Sequence, residues 1–308
     1  MFKPAILIAS FVTAGAVPSL AETSITFGSP PIAEVAAVFV AKELGIFDKN
    51  GLKFEALPST SNQAMVAALV SGSHQIAAIS PTVLLQAIDS GMDLVVVGTC
   101  GVTSARTAKN MGLAVRAGVE ISKPEDLKGK KIGAPGTNGT IDVLFKQWLK
   151  LKDIPETKLT FIEVPIPNTA DVLKGGTIDA IIAGQPSLGR AVSQSNGKVA
   201  FHYMSELPEN LPYTTFATTR EWAKANSDAV EAFQASLAEG AAFVKANPDK
   251  TREILSKYTR LPIEVLSTFE LPECKTVPTK EGLDFFDKAM RDEGLLTGSI
   301  DTTGLIVP

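Results

Sequence analysis

The sequence is poor in the residues that most catalytic and metal sites require. Two cysteines, Cys100 and Cys274, and two histidines, His74 and His202, occur in 308 residues. This is too few for a disulfide-built scaffold or for a zinc site, and no nucleophile–histidine–acid pattern accompanies them. We therefore predict no metal, no cofactor and no catalytic residue.

The two cysteines lie far apart in the sequence, and two interpretations stay open. Cys100 and Cys274 are expected to be separate buried thiols, because free cysteine packs as a small hydrophobic residue. The alternative is a disulfide formed after export, since oxidising compartments favour such pairs.

An excess of positive charge is also missing. The formal net charge is −4, which argues against nucleic acid and against a polybasic contact with a membrane. Hydrophobic residues make up 45% of the chain and charged residues 20%, as in soluble globular proteins. No apolar run beyond the N-terminus approaches the roughly 18 residues of a membrane-spanning helix.

The first 21 residues have the pattern of a secretory signal peptide. Lys3 supplies a positive start, residues 5–17 are apolar or small, and Ser19 and Ala21 occupy the −3 and −1 positions of a cleavage site. We expect cleavage after Ala21 and a soluble periplasmic product. No cysteine follows the site, so a lipid-anchored N-terminus is not expected.

Short apolar strands alternate with amphipathic helices through the next 200 residues, which predicts an α/β fold with mostly parallel sheets. Two sets resemble each other: residues 68–81 and 172–186 both show a helix, a glycine stop, an apolar strand and a polar residue before proline. This favours two similar lobes, although any α/β chain repeats such a pattern. From about Arg220 onward helices dominate, and their apolar stripes are expected to pack against the first lobe.

A strand, a tight loop and a helix are predicted over residues 130–149. Pro135 and Gly136 end the strand, and Thr137, Asn138 and Thr140 are candidate N-caps. Free N–H groups and hydroxyls at a helix start suit an oxyanion. The alternative is a capped loop without a ligand. The stretch is neither a phosphate-binding P-loop nor a dinucleotide fingerprint, because it lacks the lysine and is interrupted by proline.

Several stretches together resemble the periplasmic substrate-binding proteins of ABC importers, in the nitrate/sulfonate/taurine and NMT1/THI5-like group. They are residues 40–52, 67–72, 127–133, 175–180 and 217–222, in the order of the family. The resemblance implies a two-lobed type II periplasmic-binding-protein fold with a ligand cleft between the lobes. It also implies a first lobe of residues 22–112 and 217–308, a second lobe of residues 113–216, and two crossing strands near 112–116 and 213–218.

The resemblance further implies that loops at the lobe rims hold the ligand. Carried onto this chain, the candidate ligand-binding residues are Ser29, Pro30, Thr60, Ser61, Asn62, Ser80, Thr82, Thr137, Asn138, Gly139, Thr140 and Gln185. These loops contain no aromatic residue, and Gln185 stands where the family often has an acid. A small organic anion, such as an aliphatic sulfonate or taurine, is therefore expected, and Arg106 and Arg190 are candidate cations for it.

The expected function is that of a non-enzymatic, monomeric binding protein, with a small-molecule ligand and an inner-membrane ABC permease as partners. One alternative is a ligand of the pyrimidine or thiamine-precursor type, or another aromatic ligand. Another alternative, of a different class, is an enzyme of thiamine-pyrimidine synthesis on the same scaffold. Such an enzyme would need a reactive histidine or cysteine in the cleft.

Overall fold

The computed structural model describes residues 23–59 and 61–307. The predicted signal peptide, residues 1–21, and the candidate residue Thr60 lie outside the described residues. None of the helices in the described part of the chain has the length and apolar character needed to cross a membrane.

The strands form two separate sheets. Their bounds are β1 (Thr23–Ser29), β2 (Leu52–Pro58), β3 (Ile76–Ile79), β4 (Leu94–Cys100), β5 (Met111–Val115), β6 (Lys131–Ala134), β7 (Thr160–Glu163), β8 (Ala180–Gly184), β9 (Lys198–Phe201), β10 (Thr214–Thr219) and β11 (Cys274–Lys275). The first sheet has the order β11-β4-β10-β3-β1-β2 and the second the order β7-β6-β8-β5-β9. The α/β class and the two-lobed architecture predicted from the sequence are confirmed.

Helices cover both faces of each sheet. Their bounds are α1 (Ala36–Glu43), α2 (Ile46–Lys49), α3 (Asn62–Val70), α4 (Pro81–Asp89), α5 (Thr140–Leu151), α6 (Thr169–Lys174), α7 (Ser187–Ser195), α8 (Arg220–Ala225), α9 (Ser227–Ala246), α10 (Pro248–Thr259), α11 (Ile263–Leu266) and α12 (Lys280–Asp292). In β8, Ala180 and Ile182 join one core cluster while Ile181 and Ala183 join another. A strand buried on both faces reads as a continuous apolar run, as this one does.

One strand in each sheet arrives from the other lobe and runs against its neighbours. β5 pairs antiparallel with β8 and β9, and β10 pairs antiparallel with β3 and β4. The chain passes between the lobes through residues 101–110 and 202–213, which enter at the rim where the parallel strands end. A strand that enters the sheet at that rim runs antiparallel to the parallel strands that end there. The domain boundaries at residues 112/113 and 216/217 stay a prediction.

The C-terminal helices pack against the first lobe, and one of them also contacts the second lobe. Phe233 and Leu237 of α9 and Leu255 of α10 do belong to a first-lobe core. Helix α12 places Phe286 and Met290 in a core cluster that contains Leu85 of α4, in the first lobe, together with α5 and the second-lobe sheet. It therefore contacts the first lobe as expected and the second lobe as well, because an amphipathic stripe shows that a helix packs but does not show all of its partners.

Cys100 and Cys274 form a disulfide, so the prediction of two separate thiols is wrong. The physical reason is the pairing of β11 with β4, which sets Cys274 directly opposite Cys100 across an antiparallel pair. The bond ties the C-terminal segment to the first sheet at the end of β4.

Candidate ligand-binding site

A cavity lies at the base of the cleft, next to both crossing segments. It is lined by Ala33, Glu34, Gly101, Thr103, Thr107, Ala108, Asn110, Met111, Gly184, Gln185, Met204, Tyr213, Phe269, Glu270 and Pro272. The first sheet's loops, the second sheet's β8 and the starts of β5 and β10 all contribute. Its volume is about 40 Å³, room for about three water molecules at roughly 10–15 Å³ each. The cavity is thus the meeting place of both lobes.

Glu34 is one of two acidic residues that line this cavity. It lies in a single 3₁₀ turn, Ala33–Val35, that follows Pro30 and Pro31 and leads into α1. Burial raises the pKa of the Glu34 carboxyl, and its own backbone N–H acts in the opposite direction. Its carboxylate forms no ion pair within residues 23–59 and 61–307. Sequence reasoning missed Glu34, although it is the only charged residue between positions 23 and 41.

Gly101 shapes the wall beside Glu34. Its φ is +67°, and a Cβ added there would lie 2.9 Å from Cγ of Glu34 and 3.0 Å from Cβ of Tyr213. Both the left-handed backbone and the close approach require glycine at the end of β4. The tight contact fixes Glu34 against the start of β10. Burial, with Tyr203 and Glu34 nearby, also raises the pKa of Tyr213 well above its usual value.

The other acid lining the cavity, Glu270, is neutralised. Arg106 Nη1 lies 2.9 Å from Oε2 of Glu270, and its Nη2 lies 2.9 Å from Oε1 of Glu273. Arg106 is therefore committed to two carboxylates and is not free to hold an anion, contrary to the expectation. Arg190 is exposed on α7 and does not line the cavity. Among the residues that the structure describes, no lysine, arginine or histidine lines it.

Four of the predicted site residues form one hydrogen-bonded chain across the two rims. Oδ1 of Asn62 accepts from the Ser80 N–H at 3.1 Å, and the hydroxyls of Ser80 and Thr82 lie 3.2 Å apart. The Thr82 hydroxyl in turn lies 3.5 Å from that of Thr140. Thr82 begins α4 in the first lobe and Thr140 begins α5 in the second, so the two rims are in contact here.

The start of α5 is organised differently from the prediction. Gly139 is the N-cap residue and makes no side-chain cap, so Thr137, Asn138 and Thr140 are not N-caps. Asn138 has a φ of +63°, and its N–H donates to Oδ2 of Asp142 at 2.8 Å. The Thr137 hydroxyl donates to Glu163 at 3.1 Å. The Asn138 N–H and the Thr137 hydroxyl, which were expected to bind an anion, are thus hydrogen-bonded to the carboxylates of Asp142 and Glu163.

The remaining predicted residues have mainly local partners. Ser29 is buried at the end of β1, before Pro30, and its hydroxyl donates to the Pro30 carbonyl at 2.8 Å. Ser61 is the N-cap of α3 and accepts from the Ala64 N–H at 3.2 Å. Gln185 lines the cavity, and its Oε1 accepts from the Gly189 N–H at 3.2 Å, which leaves its amide nitrogen free for another partner.

Neither histidine lines the cavity. Nδ1 of His202 lies 3.0 Å from the carbonyl oxygen of Met111, and His74 packs against Gly28. The disulfide occupies both cysteines. The residues that the structure describes therefore bring no histidine or thiol to the cavity wall.

Comparison with solved structures shows the fold, and a family model shows the family. The chain superposes on the periplasmic aliphatic sulphonate binding protein of Escherichia coli with a TM-score of 0.80, over 92% of this chain and 97% of that one, at 18% identity. Two lobes, two mixed sheets and a cleft at the strand ends are the type II periplasmic-binding-protein fold. Residues 32–251 match the family model described as NMT1/THI5 like, and the chain belongs to that family.

The alignments to relatives found by sequence cover only part of those proteins' own length. A nitrate/nitrite binding protein of Nostoc sp. is 23% identical over 252 residues, which are 77% of this chain and 57% of that protein. A putative binding protein of Brucella abortus is 28% identical over 271 residues, which are 85% of this chain and 79% of that protein. The chain thus spans little more than half the length of the nitrate/nitrite binding protein.

Proposed function

We propose that this protein is the extracytoplasmic, monomeric solute-binding component of an ABC-type importer, which delivers a small solute to an inner-membrane permease. The observation that supports it best is the cavity at the base of the cleft, bounded by both lobes and both crossing segments. A solute held there contacts both lobes, so binding favours the closed arrangement over the open one. The closed form would then be the one that the permease recognises.

The ligand that we propose is a small organic anion, such as an aliphatic sulfonate or taurine. Relatives described as binding nitrate, nitrite and aliphatic sulphonate support an anionic head group. Within the cleft, the hydroxyls of Thr82 and Thr140 stand at the starts of α4 and α5, where backbone N–H groups suit an anion. We assign the head group to this pair rather than to Thr137 and Asn138, which carboxylates already engage.

A second candidate is a nitrogen-rich aromatic ligand of the pyrimidine or thiamine-precursor type. The observation in its favour is that Glu34, Tyr213 and Phe269 line the cavity together. A carboxyl with aromatic neighbours can hydrogen-bond and stack a heterocycle. The sequence interpretation gave this candidate less weight because no carboxylate or aromatic residue had been found at the rims.

The proposal is of a non-catalytic protein. An enzyme on this scaffold would need a reactive histidine or cysteine at the ligand, and both histidines lie off the cavity wall while both cysteines are paired. Periplasmic localisation is part of the proposal and rests on the signal-peptide pattern of residues 1–21 and on the family.

A thermal-shift screen tests the proposal. The protein is unfolded in denaturant without reductant, which keeps the disulfide, and refolded to remove bound solute. The panel contains alkanesulfonates, taurine, nitrate, aromatic carboxylates and hydroxymethyl-pyrimidine. A solute at ~100 times its dissociation constant adds about 2.7 kcal/mol, a shift of several degrees. A shift with one of these solutes supports the proposal, and no shift with any of them contradicts it.

A further inference from the structure

The cavity has an electrostatic feature that an anion-binding role does not explain. Glu34 is the one carboxyl on its wall without a salt-bridge partner among the described residues, since Glu270 is held by Arg106. No cationic side chain lines the cavity. An anionic group placed beside Glu34 in its ionised form would meet like charge in a desolvated space, which costs more there than in water. The solute must therefore present something else at this point.

We infer that Glu34 is a specificity-determining residue that recognises a nitrogen-bearing group of the solute, either a protonated amine or an amidine-like N–H pair. This inference rests on the proposed function and names the part of the ligand that enters the cavity. A carboxylate is an acceptor only, so its complement is a cation or a strong N–H donor, and such charge-assisted bonds are the strong ones.

The rest of the wall suits the same group. Tyr213 and Phe269 also line the cavity, and aromatic rings attract an ammonium group. The free amide nitrogen of Gln185 is a donor and suits an acceptor elsewhere on the solute. With the anionic head group of the proposed ligand, a protonated amine at Glu34 makes the solute an amino acid-like or aminosulfonate-like zwitterion. A neutral aminopyrimidine would satisfy Glu34 alone, through its exocyclic N–H groups.

The pairing gives binding a pH dependence. Burial raises the pKa of Glu34, and the titratable groups on the wall around it are Tyr213 and Glu270, with Arg106 behind the latter. Tyr213 stays neutral because burial raises its pKa well above the usual value of a tyrosine. Only ionised Glu34 attracts a cation, so affinity for an amine increases as the pH rises through the pKa of Glu34.

Two matched pairs of probes test the inference by calorimetry: taurine against ethanesulfonate, and 4-aminopyrimidine against pyrimidine. We expect the wild-type protein to favour the amino member of at least one pair by about thirtyfold or more, since losing one partner of a buried charge pair weakens binding by that order. Glu34→Gln should abolish the preference and the pH dependence. Glu231→Gln, which removes an exposed carboxylate from α9, should keep both.

Each other outcome counts against the inference in a distinguishable way. Equal binding of the members of both pairs, or an amine preference that survives Glu34→Gln, overturns the role of Glu34 and leaves the proposed function standing. Failure of both pairs and of every other solute in the panel to bind overturns the proposed ligand class, and the inference with it. The wild-type pH profile gives a reading even if Glu34→Gln does not fold.

Discussion

Thr103 and Leu211 join the two segments that cross between the lobes. The Thr103 N–H donates to the Leu211 carbonyl at 3.0 Å, and the Leu211 N–H donates to the Thr103 hydroxyl at 2.9 Å. That hydroxyl donates in turn to the Pro208 carbonyl at 2.9 Å. Thr103 is only 3% exposed, so the crossing segments are held together away from water, next to the cavity.

Replacing Thr103 with valine should lower the free energy of unfolding by about 1–3 kcal/mol, because the buried Leu211 N–H loses its acceptor. Urea denaturation measures the change. Thr103→Ser keeps the hydroxyl and is the matched control, expected to lose less. A wild-type free energy of unfolding in Thr103→Val, with the loss confined to Thr103→Ser, would show that the methyl group, and not the hydrogen bond, is what matters.

The disulfide between Cys100 and Cys274 should be present in the purified protein and should stabilise it. Thiol titration in denaturant without reductant is expected to find no free thiol. The double variant Cys100→Ala, Cys274→Ala should lose about 2–4 kcal/mol, the usual contribution of a bond that closes a long loop. Two free thiols in the native protein would contradict this account.

The sequence predicted local structure where local chemistry decides it. The strand over residues 131–134 ends at Pro135 as expected, and β10 begins at Thr214 as expected. The errors concern long-range partners. The stripe of α12 does not reveal that this helix contacts α5 of the second lobe in addition to α4 of the first. The register that sets Cys274 opposite Cys100 depends on a two-residue strand that is too short to recognise.

At the candidate site, too, sequence analysis identified local features but not contacts between residues far apart in the sequence. The resemblance to the family indicated the rim loops, and Asn62, Ser80, Thr82 and Thr140 of these loops do lie along one chain of hydrogen bonds. The engagement of Thr137 by Glu163 was not foreseen, because β7 is 26 residues further along the chain. Glu34 could have been noticed as a lone acid in an uncharged stretch after the first strand.

Asp89 should make stability depend on pH. Its carboxylate accepts from the backbone N–H groups of Thr297 at 3.0 Å and Gly298 at 2.6 Å, and these bonds lower its pKa. Because the pKa of Asp89 is lower in the folded state, its ionised carboxylate stabilises the fold at pH values above the unfolded-state pKa of about 3.9. That stabilisation is lost as the pH falls through the folded-state pKa.

Asp89→Asn should therefore melt below the wild-type protein at neutral pH, and the gap should narrow in acid. Melting temperatures measured across the acid range check this, with Glu231→Gln as a control for the loss of one negative charge. A gap that stays constant with pH would mean that the ionisation of Asp89 contributes nothing to folding.

Thr140 and Thr137 should differ in their effect on an anionic solute, although both stand near the start of α5. Thr140 contacts Thr82 across the rims, whereas Thr137 donates to Glu163. Thr140→Val should weaken binding of a sulfonate about tenfold, the loss expected for one hydrogen bond to a charged group. Thr137→Val is the matched control and should change the dissociation constant little. The reverse order, measured by calorimetry, would place the anion at Thr137.

The central claim is that a small solute binds in the cavity between the lobes, and filling that cavity tests it most directly. Ala33 lines the wall and is partly exposed, so the phenyl ring of Ala33→Phe should occupy the space, with some loss of stability because Ala33 also packs against the first-lobe core. The measurement is the thermal shift that the best solute of the panel produces in the wild-type protein and in Ala33→Phe, each relative to its own melting temperature without solute. We predict a shift of several degrees in the wild-type protein and none in the variant. An equal shift in both proteins would place the binding site elsewhere and contradict the account.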